Sequence, residues 1–297
     1  MRHLQIYRFI SEIDRRGSIR KTAEQLHITP SALTRKIQDF EEELGTPIFE
    51  RLPQGMRLNE AGELLLQHIR NQSAEFERLR TQLSDLAGIR RGRVSIACAQ
   101  AFIDSVLPDE IAIYRTQFPQ VSFSVEIRDN QLGIRALASY EADIALLIDP
   151  PSSIDVKELI VKKQPLCAVV SKQHPLANKR SVCLRDCIQY RIAMPSEGLA
   201  IRTMLNEALY RRQLKAVIAV ESGSLEFLRS FVIRESAITF QPLSGIPRSD
   251  GRICAIPITA NDVDYTRIVL AQLKGRTLSV AAQKFAEQLS EHLPDLS

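Results

Sequence analysis

Five side chains between Ser31 and Gln38 form the most chemically suggestive cluster in the sequence. Ser31, Thr34, Arg35 and Gln38 recur at i, i+3, i+4 and i+7, the spacing of one helix face, with Lys36 beside them. Small hydroxyls let a helix approach a groove closely. A forked guanidinium can donate two parallel hydrogen bonds to a phosphate or to a guanine edge, and an ammonium adds a point charge. The opposite face carries Leu33, Ile37, Phe40 and Leu44, which are expected inside. Thr29 is an N-cap candidate, and Pro30 stands at the first helical position, where its missing N–H costs nothing. This is the physical form of a helix that reads DNA. Taken alone, the same face would also suit a solvated surface.

The elements that must hold this helix are legible around it. Ile6, Phe9, Ile10 and Ile13 at i, i+3, i+4 and i+7 predict a first helix that stops at Gly17. Ser18 can cap a short second helix whose apolar residues are Ile19, Ala23 and Leu26. Gly45-Thr46-Pro47 ends the third helix. Ile48-Phe49 then reads as a buried strand, Arg51 to Gly55 as a loop and Met56-Arg57-Leu58 as the returning strand. Such a hairpin makes a wing carrying Arg51, Gln54 and Arg57.

The string AEQLHITPSALTRKIQDFEEELGTPIFERLPQGMRLNEAG, starting at Ala23, resembles the N-terminal winged helix-turn-helix signature of LysR-type transcriptional regulators. Ala23, Leu26, Ser31, Ala32, Arg35, Ile37, Glu41, Leu44, Gly45, Phe49, Arg51, Leu58, Ala61 and Gly62 carry the likeness. Thr34 stands where serine is usual and Asn59 where threonine is usual; both keep a hydrogen-bonding side chain. The resemblance implies that Thr29, Pro30, Ser31, Thr34, Arg35, Lys36, Gln38, Arg51, Gln54 and Arg57 meet double-stranded DNA at an interrupted inverted repeat.

Asn59 can cap a helix running to about Leu86, roughly 40 Å long. Within it Leu65, Ile69, Gln72, Phe76, Leu79, Leu83 and Leu86 alternate spacings of four and three, a heptad seam. The stripe needs a cover, either a partner helix or the chain's own domain. The resemblance assigns this segment to dimerisation, with a homotetramer as the larger assembly. Gly88 to Arg93 reads as a basic hinge.

Beyond the hinge, strands are read at Val94 to Cys98, Val121 to Ile127, Asp143 to Ile148, Leu166 to Ser171, Ile192 to Met194, Val217 to Val220 and Ala237 to Phe240. Helices fall between several of them, and Ser279 to about His292 forms a last one. The alternation predicts an α/β fold with a mainly parallel sheet. By resemblance this region is a two-lobed effector domain related to periplasmic binding proteins. The expected division is 1–58 winged helix-turn-helix, 59–87 linker helix, 88–93 hinge, 94–163 with 268–297 as one lobe, and 164–267 as the other. His174 to Ala177 and Leu184-Arg185-Asp186 are further family-like strings, whereas the usual glycine-rich turn is replaced by Arg234-Glu235-Ser236-Ala237-Ile238.

Ligands in such folds sit beyond the carboxyl ends of strands. The effector candidates are therefore Ala99, Gln100, Ala101 and Phe102 after the first strand, with Asn130, Gln131, Ser196, Glu197, Arg202, Glu221, Ser222 and Gln241 at turns that face the cleft by resemblance. Arg202 would suit a carboxylate ligand and Glu197 and Glu221 would oppose one, so the ligand's charge stays open.

Composition narrows the remaining classes. With 297 residues, 44% hydrophobic and 25% charged content, two or three globular domains are expected. A net charge of +4 means that any nucleic-acid site is local. No apolar run is long enough to span a bilayer, and the first residues lack a secretory signal's apolar stretch, so a cytoplasmic protein with no membrane partner is expected. Nucleotide loops, HExxH and GxSxG are absent, so neither a cofactor nor an enzymatic function is expected. Cys183 and Cys187 form the one close pair among five cysteines and raise the alternative of a thiol-based redox sensor. A ligand-binding protein without a regulatory role is the alternative from another class. In the favoured reading an effector alters DNA bending and contact with RNA polymerase, as the resemblance implies.

Overall fold

The computed structural model describes residues 2–52, 55–86, 92–247 and 250–293 and divides into two compact units, Met1–Phe76 and Glu77–Ser297. In the first, helices α1 (Arg2–Arg16), α2 (Ile19–Gln25) and α3 (Pro30–Leu44) precede a hairpin of β1 (Phe49–Leu52) and β2 (Gly55–Leu58), and α4 (Glu60–Leu86) begins. The caps are those the residues suggest. Ser18 Oγ accepts from the Lys21 amide at 3.4 Å, Thr29 Oγ1 from the Ala32 amide at 3.3 Å, and Gly45 closes α3 in the left-handed region at φ 72°. Ile10, Ile13 and Leu33 are wholly buried, each stabilising the unit by roughly 1.5–3 kcal/mol.

Three expectations change here. Leu44, on the last turn of α3, is exposed, because it lies a full turn past Phe40, where Tyr7 of α1 packs edge-on against the helix. The hairpin is tighter than read: Arg51 pairs with Met56 and Leu52 with Gly55. The linker stripe is also divided. Ile69, together with Leu66, is buried in the first unit's own core and Leu65 packs against it, whereas Phe76, Leu79 and Leu83 are about half exposed.

In the second unit one five-stranded sheet holds β3 (Gly92–Cys98), β4 (Val121–Ile127), β5 (Ile144–Ile148), β6 (Val156–Gln164) and β12 (Thr266–Leu273), in the order β4-β3-β5-β12-β6. The other holds β7 (Leu166–Ser171), β8 (Arg191–Pro195), β9 (Ile218–Ser222), β10 (Ala237–Pro242) and β11 (Ile253–Pro257), in the order β11-β7-β10-β8-β9. Helices α5 (Val106–Gln117), α6 (Asn130–Ala138) and α10 (Val280–His292) accompany the first sheet. Helices α7 (Leu184–Cys187), α8 (Ala200–Arg211) and α9 (Leu225–Arg234) accompany the second. Short 3-10 turns at Gln100–Phe102 and Leu243–Gly245 complete it.

The sheets are mixed, not mainly parallel. β12 runs antiparallel to β5 and β6, and β7 antiparallel to β10 and β11. The reason is connectivity. The chain crosses between sheets twice, from β6 to β7 and from β11 to β12, so β7 and β12 enter their sheets from the boundary that the other strands leave towards. Eight strand ends, from β3–β6 and β8–β11, thus converge on the boundary between lobes, where an α/β fold places its ligand crevice. β6, β11 and β12 had not been expected. In β6 Lys157, Glu158 and Lys162 decorate an edge strand and obscure its period.

Candidate functional site

In the first unit, α3 presents Pro30, Ser31, Arg35, Lys36 and Gln38 outward. Among the described residues Arg35 and Lys36 have no ion-pair or hydrogen-bond partner, so both keep their full donor capacity for a ligand. Two predicted contacts behave differently. Thr29 Oγ1 is held at 3.2 Å from Ser31 Oγ as well as capping the helix, and Thr34 Oγ1 donates back to the Pro30 carbonyl at 2.9 Å. These hydroxyls shape the start of α3 and keep acceptor lone pairs for a further contact. Arg57 stands exposed on β2; Arg51 lies on β1, and Gln54 lies outside the described residues.

The wing is fixed to α3 by a residue whose role sequence reading missed. Glu41 Oε1 accepts the backbone amides of Ile48 at 2.7 Å and Phe49 at 3.3 Å, tying the base of the hairpin to the recognition helix. Asn59 holds the other side: its Nδ2 donates to the Pro47 carbonyl at 2.9 Å, while Oδ1 accepts from the Gly62 amide at 2.9 Å and caps α4. The Met56 amide donates to Gly17 O at 2.9 Å, and a Cβ on Gly55 would lie 2.2 Å from that same oxygen. Glycine is required there by contact. The result is one rigid surface that carries a polar helix face and a basic hairpin.

In the second unit, Ala99, Gln100, Ala101 and Asn130 line a small inter-lobe cavity of about 60 Å³ together with Arg128, Asp129, Gly198, Leu199, Ala200 and Leu225. The cavity is small, with room for little more than a water or two. Phe102 is fully buried in the main core and does not reach this cavity. Asn130 Nδ2 is already engaged, donating to the carbonyls of Ile148 at 2.7 Å and Asp149 at 3.2 Å. Gln131 and Glu197 are exposed, and Ser196 contributes its amide to Ser222 O at 3.0 Å. Ser222 Oγ accepts from the Ser224 amide at 3.1 Å.

Arg202 is not free for a carboxylate ligand. Its Nη1 lies 3.0 Å from Glu221 Oε2 and donates to Pro195 O at 2.8 Å, and its Nε donates to Asn206 Oδ1 at 3.0 Å. Gln241 is likewise consumed: it is completely buried, accepts from Arg229 Nη1 at 2.8 Å and donates to Leu225 O at 3.3 Å. Arg229 also pairs with Asp104. The signal for Arg229 was available, because it falls on the apolar face of α9 between Leu225, Leu228 and Val232, where an arginine needs a buried partner.

Cys183 and Cys187 are not joined in a disulfide. Burial, reinforced by the nearby Asp186 carboxylate, pushes the Cys187 thiol up to about 12, and burial does the same to Cys98 and Cys167. These three thiols stay protonated near neutrality, and the protonated form is a poor nucleophile. All five cysteines are free of disulfides. Among the described residues no cluster of ligating side chains could hold a metal, and no helix is long and apolar enough to cross a membrane.

Comparison with known proteins agrees over both units. Residues 4–63 match the family described as bacterial regulatory helix-turn-helix protein, lysR family, and residues 87–294 match the LysR substrate binding domain. The chain is 24% identical over 299 residues to the HTH-type transcriptional activator CmpR of Synechocystis sp., covering 98% of this chain and 97% of that one. It is 26% identical over 286 residues to the transcriptional dual regulator GltC of Bacillus subtilis, covering 96% and 95%. Among solved structures, a full-length OxyR variant from Pseudomonas aeruginosa superposes with a TM-score of 0.68 at 21% identity, covering 97% of this chain and 93% of that one. Full-length CbnR complexed with its target DNA superposes with a TM-score of 0.67 at 17% identity, covering 97% and 99%. The winged helix-turn-helix surface and the two-lobed α/β unit thus have one common context: the chain belongs to the LysR family of DNA-binding transcriptional regulators.

Proposed function

We propose that this regulator reads an interrupted inverted repeat as a homodimer, with the α3 helices of two copies in successive major grooves and their wings on the flanking backbone. Ser31, Arg35, Lys36 and Gln38 supply the groove contacts, Arg57 and Arg51 the wing contacts, and Thr29, Pro30 and Thr34 set the start of the helix. The observation that carries this reading is the exposed, unpartnered Arg35–Lys36 pair on a helix that Glu41 locks to the wing. The half-exposed stripe of Phe76, Leu79 and Leu83 supports pairing of linker helices, and two dimers assemble into a tetramer. A small molecule enters between the lobes at Ala99, Gln100 and Ala101, changes how the dimers are arranged, and so alters DNA bending and contact with RNA polymerase in the cytoplasm. The experiment is a fluorescence-anisotropy titration of the full chain against the promoter region beside its own gene. Arg35→Ala is expected to weaken binding by roughly 1–3 kcal/mol if it reads a base. Unchanged affinity and footprint would overturn the assignment.

Relatives include a peroxide-inducible activator from Pectobacterium carotovorum, 25% identical over 277 residues. The protonated state of Cys187 argues against a matching role for the Cys183–Cys187 pair here. The double change Cys183→Ser, Cys187→Ser is expected to leave the response of DNA binding to peroxide unchanged.

A further inference from the structure

Between Gln100 and Leu225 the inter-lobe crevice is bridged by groups of the protein itself, and those of the first lobe come from one short segment. Residues 100–104, just after β3 in the first lobe, reach the second lobe in three places. Gln100 Oε1 accepts the Leu225 amide at 3.0 Å, taking an N-terminal donor of α9. Asp104 pairs with Arg229, whose side chain is only 5% exposed. Between them Ala101 meets Gly245 so closely that a Cβ on that glycine would lie 2.9 Å from Ala101 Cβ. Gln241 links the two polar contacts, since it accepts from Arg229 and donates to the carbonyl of the same Leu225. The bonds form a ring: Gln100, Leu225, Gln241, Arg229 and Asp104, returning to the segment where it began.

We propose that residues 100–104 are an inter-lobe latch, with Asp104 on Arg229 as its bolt, that holds the effector domain closed without ligand and that an effector must release to enter. The inference rests on the two-lobed effector reading and adds how that site is regulated. The chemistry favours a latch over ordinary packing. A guanidinium buried in the second lobe is costly unless carboxylates neutralise it; Asp250 of the same lobe acts on it through space, but the carboxylate in direct contact with it, Asp104, is supplied across the boundary by the lobe that would move. Asp104 itself is about a third exposed, so it can return to water when the lobes part, leaving Arg229 with only the longer-range field of Asp250. The two states are therefore separated by a few specific bonds. An entering ligand sees an affinity reduced by the fraction of molecules that are unlatched.

Hydrogen–deuterium exchange on the full chain, followed by mass spectrometry, tests this without knowing the effector. Asp104→Asn keeps the side-chain size and removes the charge. It is expected to speed exchange by roughly tenfold or more in peptides covering 99–106, 222–232 and 240–247, the scale of one lost charge-assisted hydrogen bond, with β5, β7 and the recognition helix unchanged. Gln100→Ala should accelerate the same peptides to a smaller degree. In an Arg229→Gln background, Asp104→Asn should add nothing. If Arg229→Gln does not fold, the two lobe-one variants decide the matter alone. Unchanged exchange in 222–232, or an acceleration spread evenly over both sheets, would overturn the latch. Neither result bears on whether the first unit binds DNA, which the Arg35→Ala titration decides separately.

Discussion

The recognition helix and the inter-lobe crevice treat their polar side chains in opposite ways. Arg35 and Lys36 stand in solvent with nothing to hold them, while the backbone beneath is fixed by Glu41, Asn59 and the close approach of Gly17 and Gly55. In the crevice Arg202, Arg229, Gln100 and Gln241 are all spent on other protein groups, and the cavity beside Ala99 and Gln100 has a volume of only about 60 Å³. One surface is rigid in its scaffold and open in its chemistry. The other is satisfied in its chemistry, and on the proposed latch it opens before it takes a ligand. A nucleic acid can dock on the first without internal rearrangement, whereas a small molecule at the second competes with bonds already made.

Breaking the scaffold of the first unit should have the largest effect. A Cβ on Gly62 would stand 2.1 Å from the Ile48 carbonyl oxygen and 2.8 Å from Leu58 Cδ2. Because the first obstacle is backbone, it cannot simply rotate away. Gly62→Ala is expected to destabilise the wing and its junction with α4 by roughly 3 kcal/mol. The check is hydrogen exchange over residues 46–62 together with DNA affinity. Both should suffer while the sheets of the second unit keep their protection.

Paired arginine substitutions sharpen the contrast. Arg35→Ala removes a group without internal partners, so DNA affinity should fall by roughly 1–3 kcal/mol while the melting temperature stays within error. Arg202→Ala should do the reverse. It abandons the Pro195 carbonyl, Asn206 and Glu221, with an expected loss of about 1–2 kcal/mol of stability by denaturant titration and no change in operator affinity. If Arg202→Ala left stability intact, the bonds Arg202 makes in the crevice would not hold it together. A smaller effect of the scaffold kind is expected for Asn59→Ala, about 1 kcal/mol for the lost α4 cap.

The same contrast explains what could be read from the sequence. The recognition surface is local: its cap at Thr29, its stop at Gly45 and its two faces all lie within one short segment, so periodicity and capping reveal it. The strands at Val121–Ile127 and Leu166–Ser171 and the helix Leu225–Arg234 are found for the same reason, since each carries its own pattern. The crevice is assembled from positions as distant as Gln100 and Gln241. Strand-end reasoning brings Ala99, Gln100 and Asn130 to it, but says nothing of which polar groups have already found each other. Asp104 and Arg229 illustrate the loss. They are 125 residues apart and share no motif, and only the misplaced charge on an apolar helix face hints that a partner exists. The strand directions of β7 and β12 escape for a related reason, because they follow from where the chain crosses between lobes and not from composition.

The smallest effect concerns which unit responds to acid. His174 is 4% exposed, and its Nδ1 accepts the Leu176 amide at 3.1 Å, so in the neutral ring the proton sits on Nε2. That nitrogen has no hydrogen-bond partner among the described residues, and the ring lies against Tyr190 at 4.4 Å between centroids. Burial therefore holds the His174 pKa below its ordinary value. The unfolded chain takes up this proton near pH 6.5 and the folded chain only at lower pH, so the stabilisation is complete above about 6.5 and is lost as pH falls through the folded value. The slope cannot exceed one proton, about 1.4 kcal/mol per pH unit. His174→Asn places an amide oxygen where Nδ1 accepts and removes the titrating ring. Denaturant midpoints measured across this range should lose part of their acid dependence in the variant, while DNA affinity at neutral pH stays the same. His27, His68 and His292 are exposed, the last of them paired with Glu110, so a histidine-linked loss of stability that survived in His174→Asn would have to arise outside this buried ring, and burial of His174 would not be its cause.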